Sequence, residues 1–256
     1  MKPNIYIALD LETTGLDFEH DEIIEVALER FENGEPVESR DFLIKPAQHL
    51  RPFIASLTGI SDADLADMPD FASVAGDIRK FLGDFPIVAH NALFDTKFLR
   101  NSFAKVGITI DSNPVFDTLV LSRIAFRTVP NHKLETLVSY LDIPRERAHR
   151  ALPDADACGK LFWKALREIE TFDSFVRHHL YRLSLGTAWE KIFEDCLPSH
   201  EKISPLEPED VASPARNLTE HLPRVKEFFA ENGKLSEVVP NYRSRESQMN
   251  YAEVVE

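Results

Sequence analysis

The first apolar run of the chain is Ile5-Tyr6-Ile7-Ala8-Leu9-Asp10-Leu11-Glu12, and the turn residues Thr13-Thr14-Gly15 follow at once. An apolar run bounded by turn residues predicts a buried β-strand. Side chains two positions apart on a strand point to the same face, so Asp10 and Glu12 should project together. Neighbouring carboxylates in such a dry place repel each other and lose solvation, and a divalent cation would remove both costs. Taken alone, the pair is more typical of a strand end whose acids reach solvent.

A second acidic position follows another short apolar strand, in the stretch Pro86-Ile87-Val88-Ala89-His90-Asn91-Ala92-Leu93-Phe94-Asp95. A helix is predicted after the polar turn, and Asp95 falls in its first turn. The helix dipole favours an acid there, which by itself explains Asp95. His90 and Asn91 suit turn and cap positions equally well.

A third acidic position lies in the stretch His149-Arg150-Ala151-Leu152-Pro153-Asp154-Ala155. Proline suits the first position of a helix, so Pro153 predicts a helix start. Apolar residues recur at helical spacing after it, at Leu161, Phe162, Ala165, Leu166 and Ile169. Asp154 is again an acid in a first turn, and His149 falls in the connection before the helix.

In this order the three stretches resemble the DEDDh exonuclease family, which includes bacterial proofreading subunits and ribonuclease T. Shorter similarities lie between them, at residues 57–61, 116–119 and 133–137. A histidine at position 149, where the sister branch of the family carries a tyrosine, selects the DEDDh branch. The resemblance covers roughly the first two-thirds of the chain and implies a ribonuclease H-like fold.

The chemistry of the acidic positions and the resemblance together predict a two-metal nuclease. Carboxylates without a cysteine or histidine cluster favour hard cations, hence two Mg²⁺ or Mn²⁺ ions. The resemblance implies that Asp10, Glu12 and Asp154 hold the ion carrying the attacking water. It also implies that Asp10 and Asp95 serve the second ion, and that His149 is the general base. The implied product is a nucleoside 5′-monophosphate released from a 3′ end.

Further residues are expected to contact the substrate: Thr13, Thr14, Leu16, His90, Asn91 and Phe94. In the family, the positions matching Thr14 and Leu16 contact the terminal sugar and wedge against the last base. Ordinary loop packing remains an alternative for Leu16. Turn and cap roles remain alternatives for His90 and Asn91.

The expected function is removal of nucleotides from single-stranded or frayed 3′ ends, with DNA favoured. An RNA 3′-end trimming nuclease is the first alternative, because DNA and RNA members share these motifs. A non-catalytic module that binds 3′ ends within a larger repair or replication machine is the second. The loss of an acidic ligand or of His149 would favour that module, and none is lost.

The formal net charge of −14 over 256 residues is unusual for a nucleic-acid binder. One stretch is locally basic, with Arg123, Arg127, Lys133, Arg145, Arg147 and Arg150. Its ordinary explanation is a solvated face, and we expect weak, non-processive binding. Cys158 and Cys196 indicate neither a disulfide framework nor a zinc site. With no apparent signal peptide or transmembrane segment, we expect a cytoplasmic protein without a membrane partner.

The predicted fold class is α/β, a ribonuclease H-like mixed sheet flanked by helices. An antiparallel meander comes first, with strands over residues 23–31 and 37–44 joined through Asn33-Gly34. Helix-flanked parallel strands follow. We predict an exonuclease domain over residues 1–171, a helical extension over 172–196, a proline-rich linker over 197–221 and a tail over 222–256.

The tail carries a second, weaker resemblance, at Tyr242-Arg243-Ser244-Arg245-Glu246-Ser247-Gln248-Met249. This segment resembles the adenine-contacting start of XPD-like (DinG-type) helicases, although Arg243 stands where that family has an acid. No G-x-x-x-x-G-K-[S/T] phosphate loop follows, so this chain is not expected to hydrolyse ATP. The expectation is an exonuclease fused to, or partnered with, a helicase or polymerase. A polar tail is the alternative.

Overall fold

The computed structural model describes residues 3–145 and 150–198 and the single positions 230 and 243. Five strands form one mixed sheet: β1 (Ile5–Thr13), β2 (Ile23–Glu32), β3 (Glu35–Leu43), β4 (Ile87–Ala89) and β5 (Val115–Asp117). Their spatial order is β3-β2-β1-β4-β5. The first three strands pair antiparallel, and β4 runs parallel to both β1 and β5. The predicted meander followed by parallel strands is confirmed.

Helices cover the sheet on both faces. In chain order they are α1 (Pro52–Thr58), α2 (Asp62–Leu65), α3 (Phe71–Leu82), α4 (Leu93–Lys105), α5 (Thr118–Ala125), α6 (Leu134–Tyr140), α7 (Ala151–Glu170), α8 (Ser174–Ser184) and α9 (Glu190–Asp195). None of the described helices is long and apolar enough to cross a membrane.

The turn between β2 and β3 has the predicted geometry. Asn33 and Gly34 form a two-residue loop with φ values of 55° and 87°. Positive φ at both central positions suits the hairpin turn that matches the right-handed twist of two paired strands. This turn fixes which residues of β2 and β3 lie opposite each other.

Alternation along β1 divides the core into two layers. Tyr6 and Ala8 pack with α7 in one buried cluster, whereas Ile7, Leu9 and Leu11 belong to a second cluster with α3 and α4. Asp10 and Glu12 continue the face of Tyr6 and Ala8, because side chains two apart share a face. The acidic pair therefore lies on the side of the sheet that α7 covers.

The start of α7 differs from the prediction. The helix begins at Ala151, after Arg150 as its N-cap, so Pro153 is its third residue and not its first. The backbone N–H of Ala151 donates to the buried carboxylate of Glu25, 3.0 Å away, and this contact supports the earlier start. Proline is tolerated at the third position, since the first four N–H groups of a helix have no partner within it.

The C-terminal third is described only as far as Pro198. Helices α8 and α9 lie within the predicted helical extension, and Ile192 and Phe193 of α9 join the same buried cluster as α7. The described core belongs to one compact unit, residues 1–202. Apart from residues 197 and 198 and positions 230 and 243, the predicted linker and tail lie outside the described residues. The predicted domain boundaries therefore stay a prediction.

At Gly159, α7 packs closely against the sheet. A Cβ there would lie 2.2 Å from the buried ring of Phe31. We expect Gly159→Ala to lower the free energy of unfolding by about 1–3 kcal/mol through overpacking, despite the better helix propensity of alanine. Chemical denaturation measures this change.

Gly76 in α3 provides the matched control. A Cβ at this exposed helical position would meet nothing within 4 Å. Gly76→Ala should therefore stabilise the protein by about 0.5–1 kcal/mol. Equal stabilisation by the two substitutions would contradict the close approach of α7 to β2.

Candidate active site

Three carboxylates meet at the end of β1. Asp10 and Glu12 come from the strand, and Asp154 comes from the first turn of α7. Each offers an oxygen atom, and these three oxygens all lie within 4.8 Å of one another. The structure therefore brings together residues that are up to 144 positions apart in the chain.

Asp95 lies beside this group but is not part of the closely spaced set. It is buried in the first turn of α4, close enough to Asp10 for its charge to raise the pKa of the Asp10 carboxyl. Burial raises the pKa of Asp95 itself to about 8, although backbone N–H groups of Asp95 and Leu11 favour its charged form. All four predicted acidic positions are thus in one region.

The electrostatics of the site are unfavourable for bare carboxylates. Burial, and then the charges of Asp95 and Asp154, hold the pKa of Asp10 well above its usual range. Burial and the charges of Glu25 and Asp154 raise the pKa of Glu12 to about 7. Such a set of oxygen donors fits a hard divalent cation, whose charge would keep the carboxylates deprotonated. The metal-site prediction is supported by this donor set.

Arg145 supplies a positive charge to Asp154. Its Nε donates to Oδ1 of Asp154 at 2.5 Å, and its Nη2 contacts the same oxygen. Both side chains are mostly buried. A cation that binds Asp154 would therefore compete with the Arg145 guanidinium for this carboxylate.

Glu25 was missed by the sequence analysis and lies next to the site. It is fully buried on β2, directly opposite Glu12. Arg150 donates to Oε1 of Glu25 through Nε at 3.0 Å and Nη2 at 2.6 Å. The only hint in the sequence was one acid inside the apolar stretch from residue 23 to residue 28.

The last residue of β1 and the turn after it carry three of the predicted substrate contacts. Thr13 is buried, and its hydroxyl donates to the carbonyl of Gly15 at 2.6 Å. The Thr14 hydroxyl accepts from the backbone N–H of Glu22 at 2.9 Å. Leu16 is 84% exposed, so it is not packed in the loop. An exposed leucine four residues after Glu12 is consistent with the wedge role, which stays a prediction.

The polar turn before α4 and the first turn of that helix carry the other three, in mainly structural contacts. His90 donates from Nε2 to the carbonyl of His132 at 3.0 Å, and its Nδ1 lies 2.9 Å from the Thr118 hydroxyl. Asn91 has a φ of 64° and an exposed side chain. The Phe94 ring packs 4.9 Å from that of Phe98. The turn role left open for His90 therefore gains support.

His149 lies outside the described residues, so its role as general base stays a prediction. The locally basic stretch is a solvated face only in part: its basic side chains at positions 123, 127 and 133 are exposed, whereas two others are paired with acids. Arg145 and Arg150 are bound to Asp154 and Glu25 and neutralise acids of the site. They add little to an outward-facing basic surface.

The similarity to known proteins agrees with this site. A sequence model described as exonuclease (RNase_T) matches residues 7–162. "DNA polymerase III PolC-type" of Halalkalibacterium halodurans is 39% identical over 195 residues, covering 76% of this chain and 13% of that protein. "3'-5' exonuclease DinG" of Staphylococcus epidermidis is 35% identical over 185 residues, covering 72% of this chain and 20% of that protein. The chain thus spans a fifth or less of the length of these relatives.

Solved structures share the fold. Exonuclease I of E. coli in complex with a dT13 oligonucleotide superposes with a TM-score of 0.58 at 22% identity, covering 70% of this chain and 43% of that one. Exonuclease X in complex with 5′ overhanging duplex DNA gives a TM-score of 0.51 at 24% identity, covering 64% of this chain and 90% of that one. The predicted ribonuclease H-like fold is confirmed.

The raised pKa values predict how stability depends on pH without a cation. In the folded chain the pKa values of Glu12 and Asp95 are about 7 and about 8, above their usual 4.5 and 3.8. The folded state therefore binds more protons than the unfolded state between these values. Its free energy of unfolding should fall as pH rises from about 4 to about 8. Chemical denaturation in chelator at a series of pH values measures this.

Two comparisons test whether these carboxyls cause the decrease in the free energy of unfolding with rising pH. Saturating Mn²⁺ should reduce it, because the deprotonated carboxylates become ligands. Asp95→Asn in chelator should also flatten it, since the amide cannot titrate. A pH dependence that neither the cation nor this substitution changes would contradict the shifted carboxyls as its source.

Proposed function

The chain belongs to the exonuclease family, and from this we propose that it is a divalent-metal-dependent 3′→5′ exonuclease that acts on DNA. The observation that carries the proposal is the meeting of Asp10, Glu12 and Asp154 with oxygens within 4.8 Å. A nuclease that hydrolyses phosphodiesters with bound cations needs such a group of hard oxygen ligands.

The direction of degradation and the substrate are supported by the relatives. The Staphylococcus epidermidis relative is named a 3′–5′ exonuclease, and the polymerase relative acts in DNA synthesis by its name. The solved structures with this fold hold a dT13 oligonucleotide or duplex DNA with a 5′ overhang. We therefore propose single-stranded or frayed DNA 3′ ends as substrate and nucleoside 5′-monophosphates as product.

The proposed cofactors are two Mg²⁺ or Mn²⁺ ions. Asp10, Glu12 and Asp154 would hold one, and Asp10 with Asp95 would serve the second. When bound, such ions stabilise negative charge on the attacking and leaving oxygens of the phosphodiester. The position of Asp95 beside the closely spaced set suits a more indirect role than that of the other three.

The remaining work falls to the side chains around the carboxylates. His149 is proposed to take the proton from the attacking water, and its unperturbed pKa near 6.5 suits that task. Thr14 and Leu16, in the turn directly after Glu12, would contact the last nucleotide. The exposed Leu16 side chain would provide an apolar surface for the terminal base.

We propose that the chain works as part of a larger polymerase- or helicase-containing protein or complex. The chain is similar to small parts of a polymerase and of a DinG protein. The net charge of −14 and the internal pairing of Arg145 and Arg150 disfavour tight binding of a polyanion by this chain alone. A fused or partner helicase or polymerase would supply the affinity for the strand.

Substitutions at two positions test the mechanism on a 3′-labelled single-stranded DNA. Asp154→Asn should abolish both Mn²⁺ binding and degradation, because a ligand is lost. His149→Ala should keep Mn²⁺ binding and lower turnover by about 10²–10⁴-fold, which is the usual contribution of a general base. Titration calorimetry and a ladder assay measure the two properties separately.

A matched control is Asp156→Asn, two residues further along α7. Its carboxylate binds Lys160 at 2.7 Å. Asp156→Asn therefore removes one negative charge, as Asp154→Asn does, but at a position outside the proposed metal site. It should spare activity. Full turnover by His149→Ala at neutral pH would refute its assigned role. Degradation from the 5′ end, or in excess chelator, would overturn the proposed function. Faster cleavage of matched RNA would favour the RNA-trimming alternative.

A further inference from the structure

Glu25 joins the two elements that carry the proposed cation ligands. On β2 it stands directly opposite Glu12 of β1, and directly opposed residues present their side chains on the same face of a sheet. Its carboxylate accepts from the Arg150 guanidinium and, through its other oxygen, from the backbone N–H of Ala151 at 3.0 Å. One buried side chain thus holds the sheet beside Glu12 to the start of α7.

The connection continues to Asp154 within a single helical turn. The carbonyl of Arg150 accepts from the backbone N–H of Asp154 at 3.3 Å. Arg150 is the N-cap of α7, so its position sets where the first turn begins.

We propose that the Glu25–Arg150 pair positions Asp154 against Asp10 and Glu12. The proposal rests on the proposed function. The two nitrogens that Arg150 directs at one oxygen of Glu25 give the contact a fixed orientation, which lysine cannot reproduce. Neither Glu25 nor Arg150 is needed as a cation ligand for this role.

A positioning role and a pure charge effect predict opposite results for Arg150. Glu25→Gln removes a negative charge near the ligands, which on charge grounds alone weakens cation binding. Arg150→Gln removes a positive charge, which on charge grounds alone tightens it. The double variant keeps the net charge of the pair at zero and should then bind like the wild type. If the pair sets position, all three variants bind the cation more weakly.

The experiment measures Mn²⁺ affinity of the full 256-residue chain by titration calorimetry, together with kcat, KM and the midpoint of thermal unfolding. Outer partners of metal ligands typically contribute 10–100-fold, so we expect each variant to lose about that factor in affinity. The kcat on 3′-labelled DNA should also fall, with KM little changed. Arg150→Lys, which keeps the charge and loses the fork, should change in the same direction and covers a failure of the glutamine variants to fold.

Asp156→Asn is the control, because it removes an ion pair with Lys160 on the same helix. It should change thermal stability while leaving Mn²⁺ affinity and kcat at wild-type values. The proposal is overturned if Arg150→Gln binds Mn²⁺ more tightly and the double variant returns to wild-type affinity. It is also overturned if the variants lose only thermal stability, as the control does.

The same experiment separates this proposal from the proposed function. A wild-type chain that binds Mn²⁺ but degrades no nucleic acid would refute the exonuclease, and the affinities of the variants would still decide the role of the pair. A wild-type chain that binds no Mn²⁺ would refute both.

Discussion

The mutual repulsion of carboxylates in a buried place is the constraint on which the rest of the site depends. Asp10 and Glu12 lie on the face of β1 that α7 covers, and Asp154 reaches them from α7. Burial and neighbouring charge raise the pKa values of Asp10 and Glu12, so these groups ionise reluctantly without help. Such an arrangement lowers the stability of the cation-free protein. A bound divalent cation would relieve the repulsion between the carboxylates and so stabilise the folded state.

Two arginines from one short stretch of chain offset part of the negative charge of the site. Arg145 binds Asp154, and Arg150 binds Glu25. The first contact involves a proposed cation ligand and is open to competition by the ion. The second involves an acid behind the ligands and can persist when the ion is bound.

Much of the fold was predictable because it follows from local signals. The two-residue periodicity of a strand predicted that Asp10 and Glu12 share a face of β1, and Asn33-Gly34 predicted the hairpin. The positions of Asp10, Asp95 and Asp154 followed from the order of three motifs. The Glu25–Arg150 pair was not predictable, because its members are 125 residues apart and meet only when α7 packs on β2. The same packing moved the start of α7 ahead of the position that Pro153 favours.

The most direct measurement is an anomalous difference map from crystals of this protein grown with Mn²⁺. We expect a peak bound by carboxylate oxygens of Asp10, Glu12 and Asp154, at about the 2.0–2.2 Å typical of small divalent cations. The Arg145 guanidinium should be displaced from at least one oxygen of Asp154. A map with Mn²⁺ bound only elsewhere, and Arg145 still on Asp154, would show that these carboxylates are not a cation site.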